Sequence, residues 1–97
     1  MATVQERVAA GAALLDERRP DWFKAIDASL IDIASSERCI CGQLYGGYTP
    51  GISILAVSPT EHGFTIGEST RELINAEWRD AVASRLAKVE ERELVLA

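Results

Sequence analysis

The feature that most constrains this chain is its C-terminal third. Ser69-Thr70-Arg71-Glu72 has the form of a capping box, in which a hydroxyl accepts from a backbone N–H three residues on and a carboxylate reaches back. Behind it Ile74, Trp78, Val82 and Leu86 recur four apart, joined by Leu73, Ala81 and Val89, while Arg71, Glu77, Arg79, Asp80, Lys88 and Glu91 occupy other faces. One apolar stripe at helical period specifies an amphipathic helix reaching at least Val89. At ~1.5 Å per residue, twenty residues span ~30 Å, so this helix is expected to brace the domain as its scaffold. The chain has 97 residues, too few for a second independent core, and shows no repeat, linker or low-complexity stretch. A single domain over residues 1–97 is expected.

The other elements are shorter. Thr3-Val4-Gln5-Glu6 is another capping box, and Val4, Val8, Ala12 and Leu15 follow at helical spacing until Pro20 biases Arg19 away from the α region, which predicts a helix over 4–18. Asp21 is placed to cap a short helix carrying Trp22, Phe23 and Ile26, with Trp22 and Ile26 together on a core face. Leu30, Ile31 and Ile33 around Asp32 make Ser29–Ala34 read as extended, with room for a minimal two-stranded bridge. Ser35 or Ser36 is then expected to cap a central helix containing Ile40, Cys41, Leu44 and Tyr45, ended by Gly46-Gly47. Thr49-Pro50-Gly51 reads two ways, as a helix start or as a turn before a strand, and Ile52–Val57 does not decide between them. Ser58-Pro59-Thr60-Glu61 predicts one helical turn carrying His62 and stopped by Gly63. The fold class is therefore mainly α: a small helical bundle with a long C-terminal helix and short central helices.

Composition narrows the class of function. With 47% hydrophobic and 26% charged residues the chain is of ordinary globular type. Its net charge of −5 and pI near 4.8 disfavour nonspecific attraction to nucleic acid or anionic lipid, so a charged partner is expected to be basic. No run approaches the ~20 apolar residues that span a bilayer. Glu6 and Arg7 precede the early apolar run Val8–Leu15, and a basic leader is missing. A cytoplasmic protein with reduced thiols, not associated with membrane, is the expectation.

Cys39-Ile40-Cys41-Gly42-Gln43-Leu44-Tyr45-Gly46-Gly47-Tyr48, followed by Glu61-His62-Gly63-Phe64 and Glu77-Trp78-Arg79, resembles a pattern in small proteins encoded by actinobacteria and their bacteriophages. The Cys39–Tyr48 block carries most of the resemblance, with Cys41 standing where an aliphatic residue is usual. The resemblance implies a phage or prophage setting and brings no catalytic or binding residue with it.

Candidate chemistry is sparse. Cys39, Cys41 and His62 are the only soft ligand set, but Cys-x-Cys fits structural zinc poorly, since residues two apart on a helix project roughly 200° from each other. Buried thiols acting as small hydrophobes are the better reading. The single histidine would have to serve any Cys–His or Ser–His scheme, and no nucleophile motif accompanies it. Gly42, Gly46, Gly47 and Gly51 match no phosphate-loop pattern. No catalytic, cofactor or metal residue is assigned. Candidates for an interaction surface are Tyr45 and Tyr48, aromatics three apart, and Leu94, Val95 and Leu96, aliphatics behind an acidic stretch that fits poorly at a helix C-terminus. The sequence thus points to a protein–protein interaction module without catalytic activity, docking on a host or phage protein or on a second copy of itself. A Cys/His metal-binding regulator is the alternative, and an acidic nucleic-acid mimic stands third.

Overall fold

The computed structural model describes residues 3–67 and 69–96, with side chains as far as Glu93, and among these residues every regular element is helical. The first capping box closes: Thr3 Oγ1 accepts from the Glu6 N–H at 3.1 Å, and the Glu6 carboxylate accepts from the Thr3 N–H. The helix it opens, α1 (Val4–Arg18), ends at Arg19, which precedes Pro20 and leaves the helical region with φ −145°. Val4, Val8, Ala12 and Leu15 are all buried along one stripe. After α1 come single 3₁₀ turns at Trp22–Ala25 and Ala28–Leu30, then α2 (Ile40–Tyr45), α3 (Tyr48–Leu55) and α4 (Arg71–Leu96).

The long helix starts one residue later than the Ser69 frame implies. Thr70, not Ser69, supplies the cap, its Oγ1 accepting from the Leu73 N–H at 3.2 Å, while the Ser69 hydroxyl donates to the Thr70 carbonyl. At ~1.5 Å per residue its 26 residues span ~39 Å, against a longest molecular dimension of 43 Å. Ile74, Trp78 and Val82 are fully buried, whereas Leu73 and Leu86, placed on the apolar stripe by spacing, are exposed at 43% and 38%.

The helices α1 and α4 run parallel. The Arg7 guanidinium lies beside Gly67, four residues before α4 begins, and nine residues further along α1 the Asp16 carboxylate meets Arg85. Between these points Gly11 is required, because a Cβ there would strike the His62 carbonyl and the Trp78 ring. Trp78 anchors the crossing. Its Nε1 donates to the Gly63 carbonyl at 2.6 Å, its ring stacks on Phe64 at 5.6 Å, and its edge meets Trp22 at 5.9 Å.

The meander from Pro20 to Thr70 departs from expectation where short polar side chains take over backbone groups. No β-bridge forms at Ser29–Ala34: Asp27 accepts from the Ser29 N–H and Asp32 from the Ala34 N–H, which folds the segment into turns. Neither Ser35 nor Ser36 caps α2. Their hydroxyls accept from Arg38 N–H and Tyr48 N–H, and the Cys39 sulfur caps instead, accepting from Gly42 N–H at 3.3 Å. Asp21 makes no side-chain cap and adopts a left-handed φ of 66°; Trp22 and Ile26 are nevertheless both buried. Gly46, at φ +85°, ends α2 as a left-handed residue. Thr49-Pro50-Gly51 lies inside α3, resolving that ambiguity in favour of helix up to Leu55. Residues 58–63 form the single turn expected there, with Ser58 Oγ accepting from Glu61 N–H and Gly63 closing the turn behind His62 at φ +67°.

Candidate functional site

Two arginines at the end of α1 fix the central helices. Arg19 donates to the Leu44 carbonyl in the last turn of α2 and lies over the Tyr45 ring at 5.2 Å, while Arg18 donates to the Leu55 carbonyl at the end of α3. Each places a cation on unpaired C-terminal carbonyls, where the helix dipole is negative. Tyr45 is therefore half-buried beneath a guanidinium rather than free on the surface.

Tyr48, also half-buried, borders a cleft of about 500 Å³ with Ile33, Ser35, Ser36, Thr49, Thr65 and Ile66. Burial raises the Tyr48 phenol above its ordinary value. The cleft is shallow and rich in hydroxyls, but the Ser35 and Ser36 oxygens already accept backbone N–H groups.

A second cleft, about 300 Å³, lies where the C-terminal ends of α1 and the described part of α4 come together, lined by Asp16, Asp21, Phe23, Ser84, Arg85, Lys88, Val89 and Arg92. Arg85, Lys88 and Arg92 fall three and four residues apart, so all three cations share one arc of α4. Arg85 is committed to the protein: its Nε and Nη2 donate to Asp16 at 2.9 and 2.7 Å, and it lies over the Trp22 ring at 5.6 Å. Asp16 also accepts from the Trp22 indole at 2.8 Å. The Arg85 hydrogen bonds, with smaller help from Trp22, hold the Asp16 carboxyl below its usual range. Asp21 pairs with Lys24 at 3.9 Å. Lys88 and Arg92 are exposed, and among the described residues neither forms an ion pair.

Beyond that cleft α4 has little around it. Of residues 86–93 only Val89 is half-buried, and Glu90 to Glu93, which cover every side of one turn, are all exposed. The side chains of Leu94, Val95 and Leu96, candidates on sequence grounds, lie outside the described residues; their backbone continues the helix.

The soft ligands do not converge on a metal site. Cys39 and Cys41 are both 1% exposed, and among the described residues no group of three His, Cys, Asp or Glu side chains stands together. Desolvation raises the Cys39 thiol and pushes Cys41 up to about 12, so both favour the neutral form, which is a poor nucleophile. The His62 ring donates from Nδ1 to the Ser58 carbonyl at 2.9 Å and stacks on Phe64. No described helix is long and apolar enough to cross a membrane.

Sequence reading passed over Phe23, Lys88 and Arg92 as parts of a site. The spacing of the cations was available; their cleft was not, because it depends on α1 running parallel to α4. Compared with protein-family models, with curated proteins and with solved structures, the chain matches none.

Proposed function

We propose that the protein is a small docking module of phage or prophage type, acting in the cytoplasm by binding a host or phage protein and catalysing no reaction. The observation that carries this reading is the free stretch of α4. A helix of two turns with almost every side chain in water gains little from its own domain, since most helical stability comes from packing an apolar face. Leu86, exposed at 38% at the base of this stretch, adds an uncovered aliphatic surface. Both features are accounted for by a partner that packs along the helix.

Affinity capture from host lysate tests the reading, comparing the full chain with a variant lacking residues 90–97. The expected result is a protein retained by the full chain and lost by the truncated one, at unchanged thermal stability. Capture of the same proteins by both forms overturns the docking role of α4, and a large fall in stability assigns the segment to the core. Sedimentation of the two forms distinguishes a second copy of the chain from a different protein as the partner.

A further inference from the structure

The cleft at the C-terminal end of α1 reverses the charge logic of the whole molecule. The chain carries −5, yet here three cations line one wall against two carboxylates. Asp16 is engaged by Arg85 in a two-point pair, and Asp21 stands exposed at the rim, 3.9 Å from Lys24. What faces an incoming group is the Lys88 ammonium and the Arg92 guanidinium, one helical turn or ~6 Å apart along α4. The facing wall supplies the Phe23 ring, 8% exposed, and Val89 lies half-buried between the cations.

We propose that this cleft binds an acidic, extended segment of a partner polypeptide, one in which carboxylate and aliphatic residues alternate. In an extended strand successive side chains point to opposite sides, and residues two apart lie ~6.6 to 6.8 Å from each other. That repeat matches the separation of Lys88 and Arg92, so alternate carboxylates reach the cationic wall while the intervening aliphatic groups meet Phe23. A volume of about 300 Å³ is at the low end for a ligand site and suits a short stretch of chain. Basic partners, which the net charge favours, are repelled at this point. The inference rests on the docking reading and supplies its partner with a chemistry.

The test is an NMR titration of the full-length protein with acetyl-Glu-Leu-Glu-Leu-Glu-amide, which detects weak binding residue by residue. Saturable shifts are expected at Phe23, Ser84, Lys88 and Arg92 and at the Trp22 indole, shrinking as salt is raised. The peptides in which Gln or Lys replaces Glu are expected to leave these residues unmoved. Lys88→Glu with Arg92→Glu reverses two exposed side chains and is expected to weaken binding at least about tenfold with the fold intact, since like charges in contact oppose association. Equal shifts from the Gln peptide, or none at these residues from the Glu peptide, overturn the proposal. So does a stronger response to a thymidine decanucleotide, which would make the cleft a phosphate-backbone site. Loss of capture on truncating α4 together with a silent peptide titration sinks this inference and leaves the docking reading standing; saturable peptide binding by the full-length chain while the lysate yields no partner does the reverse.

Discussion

Trp78 combines three contacts in one side chain: an indole hydrogen bond to Gly63, a stack on Phe64 and an edge contact with Trp22. Trp78→Ala is expected to cost ~3 to 5 kcal/mol, as truncation of a buried aromatic does, read from urea denaturation. The cysteines act through shape and hydrogen bonding. Because Cys41 is pushed up to about 12 and Cys39 is raised with it, both thiols should be silent to a disulfide reagent such as DTNB at mildly alkaline pH until the protein opens. Prompt reaction of the native protein would contradict this. Cys39→Ala removes the cap of α2 as well, an effect of ~1 kcal/mol on the scale of other lost caps. Asp16 provides a pH dependence. In the unfolded chain it titrates near 3.8, and in the folded protein lower. Above 3.8 both states are ionised and the contribution of the pair is complete. As the pH falls below that, the unfolded chain takes up the proton first, and the contribution drains away through the lower folded value. Asp16→Asn is therefore expected to lower stability at neutral pH and to flatten its fall on acidification, measured by denaturant titration across the acid range.

At the scale of elements, α1 does more than pack. Arg18 and Arg19 at its C-terminal end donate to the last carbonyls of α3 and α2, so Arg19→Gln is expected to cost ~1 kcal/mol through loss of a charged donor to the end of α2. If stability is unchanged, water or a neighbouring donor serves those carbonyls equally well. The same helix shows what the chain makes legible locally. Thr3, Glu6 and Pro20 all lie within or beside α1 and act on it directly, so its boundaries follow from sequence to the residue. The segment from Asp27 to Cys39 is different. There Asp, Ser and Cys side chains compete for the same backbone N–H groups, and which one wins depends on where Tyr48 and Arg38 arrive in space. Hence Ser29–Ala34 reads as extended by propensity yet turns, and a sulfur caps where a hydroxyl was expected. The candidate site was half legible in the same sense. Arg85, Lys88 and Arg92 announce a cationic arc by spacing alone, but that Asp16 neutralises the first of them is a tertiary fact.

At the scale of the molecule, the pairing of the first and last helices makes the core depend on the whole chain. A fragment ending at residue 70 lacks Ile74, Trp78 and Val82, all fully buried, and is expected to lose cooperative unfolding and to bind the hydrophobic dye ANS. A cooperative transition in that fragment would show that α1 and the meander hold a core of their own. Parallel neighbours also cannot be joined by a tight turn, because the chain must return to the starting end before the second helix can begin. About fifty residues make that return here, so every contact between α1 and α4 is distant in sequence and costs loop-closure entropy before it forms. During synthesis α1 is complete some sixty residues before Val82 is added, a delay of roughly 3 to 13 s at about 5 to 20 residues per second. Until α4 has emerged, the stripe of Val4, Val8, Ala12 and Leu15 lacks the helix it packs against, so a chain stalled late in the meander presents that stripe to whatever chaperone waits at the ribosome.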